Sequence, residues 1–184
     1  QWLTKKENND NLNYRLEYYM VKVERLKEYQ RILSKEDFEV LGNKIFMITE
    51  SLVQEYPGYK EWYFLKQLKN IESTEREILF VRNPEKFEEI IAVACLKKTV
   101  LEKKICTLYV VETFRSIGIG SALISESFKF LGTTIPLITF ADYKLKWFEP
   151  FIKKYNWKLV EVIDKAYNNN FKELCFNGKL EKHI

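Results

Sequence analysis

The stretch "FRSIGIGSALI", residues 114–124, combines an arginine, two closely spaced glycines and a following apolar run. A strand-like segment ends before it and a helix-like segment follows, so the glycines lie at a strand-to-helix turn. The amino end of a helix has unpaired N–H groups and a partial positive charge, and glycines let an anion approach the backbone. No acidic side chain occurs from residue 113 to residue 125. The pattern predicts a main-chain site for a phosphate-bearing ligand, with a plain tight turn as the alternative.

Two common phosphate-binding motifs fit this stretch poorly. A P-loop ends in Gly-Lys followed by Ser or Thr, but here Gly120 is followed directly by Ser121. A dinucleotide-binding fingerprint needs a small residue where Leu123 stands, and it opens a parallel sheet instead of following antiparallel strands. The turn therefore indicates an anion site of another kind.

Other reactive groups are sparse. The only histidine is His183, which nearly excludes a histidine metal site or a Ser–His–Asp triad, so we expect no metal. Cys95, Cys106 and Cys175 are odd in number and widely spaced, unlike a disulfide framework or a zinc site. Cys95 and Cys106 fall on adjacent predicted strands, either as small buried residues or as a redox pair.

Composition and charge limit the class of partner. The net charge of +4 comes from 30 basic and 26 acidic residues, which is a mild bias and not the basic stripe typical of nucleic-acid binding. No apolar run reaches the length of a membrane span and no signal-peptide pattern is visible. We therefore expect a cytoplasmic globular protein that binds neither nucleic acid nor a membrane.

Hydrophobic periodicity predicts the elements of the first half. Residues 1–13 are polar and predict a flexible leader, and residues 14–184 are expected to form a single domain. Residues 14–26 alternate like a half-buried strand, with a helix as the alternative. Ser34 is the predicted N-cap of a helix that ends at Pro57 and Gly58, and residues 59–71 predict a shorter helix.

The second half predicts strands and helices around the glycine turn. Residues 76–83, 88–99 and 103–112 predict an antiparallel meander, and the helix after the turn should end at Gly132. The predicted elements that follow are a buried strand at 135–141, a helix at 143–157 that Pro150 starts or kinks, and strands at 158–164 and 172–178. Strands 103–112 and 135–141 flank a helix and should be parallel neighbours.

The pattern Arg115-x-x-Gly118-x-Gly120, preceded by "LYVVETF" and followed by "SALI", resembles the acetyl-CoA-binding motif of the GCN5-related N-acetyltransferase (GNAT) superfamily. The element order resembles this superfamily over roughly residues 14–178. The resemblance implies an α+β fold, an α/β/α sandwich whose mixed, mostly antiparallel sheet contains a central splayed parallel strand pair. It also implies acetyl-CoA as acyl donor and an amine of a small molecule, protein or peptide as acceptor. A homodimer is left open.

The resemblance implies roles for individual positions. The CoA pyrophosphate is expected on backbone N–H groups of the turn, namely those of Arg115, Ser116, Ile117, Gly118, Ile119, Gly120 and Ser121. Val110 and Val111 are expected to pair with the pantetheine amides, and the backbone near Val110 to polarise the thioester carbonyl.

The sequence departs from the superfamily where a tyrosine commonly protonates the leaving thiol. The usual stretch resembles Phe-Tyr-x-Lys-x-Gly-Phe, but "FIKKYNW" has Ile152 at the tyrosine position. Tyr143, or as second choice Tyr155, is one replacement. Alternatively, the thiolate leaves without a dedicated acid, because a thiol pKa lies near 8.5. In the third alternative the protein is an acyl-CoA-binding sensor with little turnover.

The acceptor amine must lose a proton before it attacks, and a carboxylate is suited to remove it. Glu112, next to the expected acyl site, is the candidate base, with a solvated strand-end carboxylate as the alternative. Glu50, Glu55 and Glu61 lie on the N-terminal helices that wall the acceptor pocket in this superfamily, but for each a surface charge is the favoured alternative. Trp62, Tyr63 and Phe64 cannot share one helix face, so at least one is a candidate to line the cleft or a subunit contact, but packing in the core is the favoured interpretation.

Overall fold

The computed structural model describes residues 21–180. The leader expected over residues 1–13 and most of the strand expected over residues 14–26 therefore lie outside the described residues. Within them, strand β1 spans only Glu24–Arg25 and is followed by the one-turn helix α1, Leu26–Tyr29.

One mixed sheet organises the molecule, with seven described strands in the order β1-β2-β3-β4-β5-β7-β6. Its further strands are β2 (Arg76–Arg82), β3 (Ile90–Lys98), β4 (Lys103–Val110), β5 (Leu137–Ala141), β6 (Leu159–Asp164) and β7 (Lys172–Phe176). The β4–β5 pair is parallel, and the other neighbours are antiparallel. The meander, the parallel pair and the closing hairpin predicted from the sequence are confirmed.

Strands β4 and β5 diverge soon after they begin. Among the described residues, their paired positions are Lys104 with Leu137 and Ile105 with Ile138, although β4 continues to Val110. The other edge of β5 stays paired with β7 as far as Ala141 and Glu173. Beyond Ile105, the edge of β4 that faces β5 therefore has no strand partner, and the expected splayed strand pair is confirmed.

The N-terminal helices cover one face of the sheet. They are α2 (Lys35–Met47), α3 (Leu52–Glu55) and α4 (Tyr59–Trp62), which continues as a wider π-helical turn over Tyr63–Leu68. The Ser34 side chain accepts a bond from the Asp37 N–H at 3.1 Å, as expected of an N-cap. The sequence predicted one continuous helix where α2 and α3 are separate. The break lies at Thr49, whose N–H and hydroxyl both donate to the Phe46 carbonyl at 2.8 Å.

Helices α5 (Ile119–Leu131) and α6 (Leu145–Tyr155) cover the opposite face and complete the sandwich. Gly132 has φ +69° and donates its N–H to the Phe128 carbonyl at 2.8 Å, so the predicted C-cap is confirmed. A 3-10 turn, Asp142–Lys144, precedes α6, and Pro150 lies inside that helix. Each face has its own apolar core, so the sheet separates two packed layers of helix.

The three cysteines are free. Cys95 lies opposite Thr107 in the β3–β4 ladder, and burial raises the pKa of the Cys95 and Cys106 thiols. Because a thiolate is the reactive form, these surroundings favour the interpretation as small buried residues over a redox pair.

Candidate active site

A cleft of about 790 Å³ opens where β4 and β5 diverge. One part, which we call the α5 half, lies on the side of α5 and α6 and is lined by Leu108, Val110, Gly120, Phe140, Phe148 and Phe151. The other part, the α3–α4 half, lies on the side of the N-terminal helices and is lined by Glu55, Tyr56, Tyr59, Trp62, Thr107 and Glu173. The splay thus makes one cavity that is reached from both faces of the sheet.

The turn before α5 presents a run of unpaired main-chain N–H groups. Among the described residues, none of the amides of residues 116–121 has a hydrogen-bond acceptor, and the first bonded amide is that of Ala122, which donates to the Gly118 carbonyl at 3.0 Å. Ser116 and Gly118 have φ values of +67° and +91°. Consecutive N–H groups around such a turn form a concave site for an anion. The N–H of Arg115 instead donates to the Glu112 carbonyl at 3.2 Å, so this amide of the predicted set is already used.

The two glycines of the turn serve different needs. Gly118 has open space where a Cβ would be, but its φ of +91° is one that L side chains rarely adopt. A Cβ on Gly120 would lie 3.6 Å from Phe151 Cζ and 4.0 Å from Val110 Cγ2, which are ordinary contact distances. Any longer side chain at position 120 would extend into the cleft. Gly118 therefore permits the turn, and Gly120 keeps the α5 half open.

The end of β4 directs alternate residues into the cleft. Val111 donates its N–H to the Ile91 carbonyl and accepts from the Phe114 N–H, both at 2.9 Å. Both main-chain groups of Val111, which the resemblance paired with the pantetheine amides, are therefore bonded within the protein. Val110 and Leu108 lie opposite Ala92 and Ala94 at non-hydrogen-bonded positions, so their N–H and C=O groups face away from β3. Leu108, which sequence reasoning did not single out, offers its main-chain groups at the same edge as Val110, and the two-residue alternation of a strand was the available signal.

The Arg115 side chain lies at the mouth of the α5 half. Its Nε donates to the Val110 carbonyl at 2.9 Å, and its guanidinium carbon lies 4.8 Å from the centre of the Trp147 ring. The carbonyl of Val110 is therefore held by the protein itself, and its N–H is the group left for a ligand.

The structure does not bring the predicted catalytic side chains into the cleft. Glu112 is exposed in the 3-10 turn Glu112–Phe114, which leads away from the end of β4. Tyr143 is 52% exposed beside the cleft, and burial together with Glu55 raises its hydroxyl pKa. The ring of Tyr155 packs 4.8 Å from that of Phe128, and Ile152 packs against the core of the α5 face. In this geometry α6 directs no tyrosine at the cleft.

Glu173, which sequence reasoning missed, lines the α3–α4 half. It lies on β7 and is 1% exposed, and its Oε2 has no hydrogen-bond donor among the described residues. Burial raises its carboxyl pKa to about 7, against the Thr139 hydroxyl and the charges of Lys104 and Lys144, which lower it. The sequence contained a signal, because alternation in "KELCF" places Glu173 on the same strand face as the buried Cys175.

Glu55 also lines the cleft, although a surface charge was the favoured interpretation. Its carboxylate forms an ion pair with Lys144, whose Nζ lies 5.4 Å from the centre of the Tyr56 ring. Burial and the carboxylates of Glu173 and Glu55 raise the pKa of the Tyr56 hydroxyl. The rim of this half is thus electrically balanced, whereas Glu173 has no ion-pair partner among the described residues.

The aromatic run on α4 is divided between the cleft and the core. Trp62 lines the cleft. Tyr63 is 1% exposed and donates to the Gly42 carbonyl at 2.9 Å, and the Phe64 ring packs 5.0 Å from that of Phe46. One of the three thus lines the cleft, and the favoured interpretation, in which all three pack in the core, is wrong for Trp62.

Residues 21–180 offer neither a metal site nor a membrane-spanning helix. This part of the chain contains no group of three or more His, Cys, Asp or Glu side chains placed to hold a metal ion. It also contains no helix that combines the length and apolar character needed to cross a membrane.

Solved structures identify the fold. The chain superposes with a TM-score of 0.55 on a Corynebacterium glutamicum protein described as histone acetyltransferase HPA2 and related acetyltransferase, at 12% identity over 89% of this chain and 99% of that one. A GCN5-related N-acetyltransferase from Rhodopseudomonas palustris gives 0.53, at 15% identity over 85% and 93% of the two chains. Streptothricin acetyltransferase of Bacillus anthracis, in complex with acetyl-CoA, gives 0.49 at 14% identity over 59% of this chain.

The chain spans 65% of the length of the Bacillus anthracis protein and 64% of nourseothricin acetyltransferase. No protein-family model matches the sequence, and no curated protein does. The structural similarity shows that this chain has the GNAT fold, as its sequence led us to expect.

Proposed function

We propose that this chain is an acetyl-CoA-dependent N-acetyltransferase that acts on a primary amine by direct attack. The observation that carries the proposal is the run of six unpaired amides, residues 116–121, at the mouth of a cleft between splayed strands. A pyrophosphate satisfies several such N–H groups at once, and the helix terminus behind them favours its negative charge. The GNAT fold supports the same assignment.

The α5 half fits an extended pantetheine arm. The inward main-chain groups of Leu108 and the N–H of Val110 offer hydrogen bonds at the unpaired edge of β4. Phe148 and Phe151 offer apolar walls, and Gly120 leaves room beside Phe151 and Val110. When bound there, acetyl-CoA supplies a thioester carbonyl for attack. Its carbonyl oxygen would be polarised near the Val110 N–H.

The α3–α4 half is proposed to receive the acceptor, an amine of a small molecule or of a peptide. Three of its walls are the rings of Tyr56, Tyr59 and Trp62, and Glu173 lies at its floor. In this proposal the amine approaches the thioester through the gap between β4 and β5, from the face opposite to CoA. The leaving thiolate departs without a dedicated tyrosine, because Ile152 stands at the usual position and the ring of Tyr155 packs against Phe128.

Isothermal titration with CoA tests whether the unpaired amides of the turn bind this ligand. Wild-type protein is expected to bind, and Gly120→Ala to fold normally and bind more weakly, because its Cβ makes only ordinary contacts. Gly120→Glu should abolish binding, because both its side chain and its charge oppose the pyrophosphate and the arm. An absence of heat with wild-type protein at millimolar CoA would contradict the proposal.

A sensor that binds acyl-CoA with little turnover is the second candidate, favoured by Ile152 at the usual tyrosine position. Release of CoA thiol, measured with a panel of amines, separates the two functions. Steady amine-dependent release supports the enzyme, and CoA binding without release from any amine supports the sensor.

A further inference from the structure

The described part of the chain contains three buried glutamates, and only Glu173 has a carboxylate oxygen without a hydrogen-bond donor. Glu77 is 0% exposed but pairs with Arg25 at 2.9 Å and accepts from the Ile78 N–H at 3.1 Å. Glu24 is 5% exposed and pairs with Arg82 at 3.4 Å. Glu173 accepts from the Thr139 hydroxyl, but its Oε2 has no donor and no cation is paired with it within residues 21–180. An unsatisfied buried carboxylate oxygen destabilises a fold. The position of Glu173 therefore indicates that a ligand brings the missing hydrogen-bond donor or cation.

The groups around Glu173 do not replace that partner. Lys144 from the turn before α6 bonds Glu55 of α3 instead, and Lys104 of β4 acts on Glu173 only through its charge. Glu173 in turn raises the pKa values of three neighbouring hydroxyls, those of Tyr56, Tyr143 and Tyr167. A carboxylate that faces aromatic walls and has no bonded cation is suited to an organic ammonium ion.

We propose that Glu173 is the general base of the reaction and accepts the proton of the acceptor amine. This inference rests on the proposed acetyltransferase function. The ammonium form of the acceptor enters the α3–α4 half and transfers one N–H proton to the Glu173 carboxylate. The freed nitrogen lone pair then forms the C–N bond to the thioester carbonyl carbon while the C–S bond breaks, and its electron pair leaves on sulfur. The second nitrogen proton goes to the thiolate, and Glu173 returns its proton to water.

The other nearby carboxylates fit this role less well. Glu112 is exposed and lies outside the cleft, so no acceptor held between the aromatic walls would reach it. Glu55 lines the cleft but is neutralised by Lys144. The raised pKa of Glu173 makes it a stronger base than either an exposed or an ion-paired carboxylate and lets it titrate near neutral pH.

The test is the pH dependence of amine-dependent CoA release in wild-type protein, Glu173→Gln, Glu112→Gln and Glu149→Gln, with CoA affinity measured in parallel. Four amines are offered, namely phenethylamine, spermidine, lysine and a short peptide with a free N-terminus, and profiles are recorded with the fastest. Glu149→Gln is the matched control, because Glu149 is an exposed carboxylate on α6 outside the cleft.

In the wild-type profile, kcat/KM should rise tenfold per pH unit below about 7 and then stay level until the amine itself loses its proton, near pH 10 for an alkylamine and about pH 8 for the peptide N-terminus. Glu173→Gln should lose roughly 100-fold or more in kcat/KM at pH 7.5, with CoA affinity unchanged. The remaining kcat/KM of this variant should rise continuously with pH up to the pKa of the amine, without a break (a change of slope) near pH 7. Glu149→Gln should match the wild-type protein.

The outcomes separate this inference from the function on which it rests. If Glu173→Gln keeps the break near pH 7 and activity within threefold of wild type, Glu173 is not the base, although the acetyltransferase stands. Loss of the break in Glu112→Gln would return the role to Glu112. If wild-type protein binds CoA but acetylates none of the four amines, the proposed function itself is contradicted and the assignment of Glu173 falls with it.

Discussion

Replacing Glu173 by Gln should stabilise the fold, by an amount that grows with pH. Folding raises this carboxyl pKa from its ordinary 4.5 to about 7, chiefly through burial. Between these values the native protein binds more protons than the unfolded chain, so stability falls as pH rises. This loss of folding free energy, caused by the buried charge of Glu173, is absent below about pH 4.5 and fully present above about pH 7. At 1.36 kcal/mol per pKa unit it amounts to about 3 kcal/mol.

Thermal unfolding of wild-type protein and Glu173→Gln at pH 4.5 and pH 8.5 measures this cost. At pH 8.5 the variant should melt roughly 8 °C higher, because about 1 kcal/mol shifts the Tm of a domain of this size by a few degrees. At pH 4.5 the two proteins should nearly coincide, since a protonated carboxyl and an amide differ little. Glu149→Gln should show no such pH-dependent gain, because Glu149 is exposed.

Two results would refute this reasoning. A gain of the same size at both pH values would mean that packing, and not the buried charge, penalises Glu173. No gain at pH 8.5 would mean that the carboxylate finds compensation in the native protein. A gain confined to high pH, together with loss of activity, would identify Glu173 as a residue whose burial is unfavourable for stability and favourable for function.

Two further substitutions test local features of the fold. Gly118→Ala should lower the free energy of unfolding by about 1–2 kcal/mol, because φ is +91° at this position. Gly118→Asn should lower it less, because Asn tolerates positive φ better. Equal melting temperatures for Gly118→Ala and wild-type protein would contradict this prediction. Gln67→Leu should cost about 1–3 kcal/mol in urea unfolding, because the buried Gln67 amide donates to the Glu77 and Leu96 carbonyls at 2.8 and 3.2 Å. A loss below about 0.5 kcal/mol would show that water satisfies these carbonyls.

The local sequence pattern was enough to predict most of the helices, strands and their order. Ser34 and Gly132 cap helices as predicted, and the parallel strand pair lies where a helix separates two apolar strands. The breaks were harder to predict. The turn at Thr49 and the π-helical turn over Tyr63–Leu68 interrupt sequences with continuous helical periodicity. Such breaks depend on packing against the sheet, which periodicity does not report.

The candidate site also has one part that the sequence predicted and one part that it did not. The glycine turn was identifiable because an anion site made of main-chain N–H groups depends on local backbone geometry and on side chains that are absent, and both are recorded in eleven consecutive letters. The side chains of the acceptor half were not identifiable. Glu112 is near the turn in sequence but outside the cleft, whereas Glu173 follows Glu112 by about sixty residues and lines the cleft.

The sequence by itself determined the order of elements, the turn before α5 and the absence of a tyrosine at position 152. Only the tertiary structure decided that Glu173 is buried with one oxygen unsatisfied and that the charge of Glu55 is balanced by Lys144. The physical reason is that burial and charge compensation depend on residues far apart in the chain. Glu173 is enclosed by side chains from β4, β5, α3 and the turn before α6, and no local pattern records that assembly.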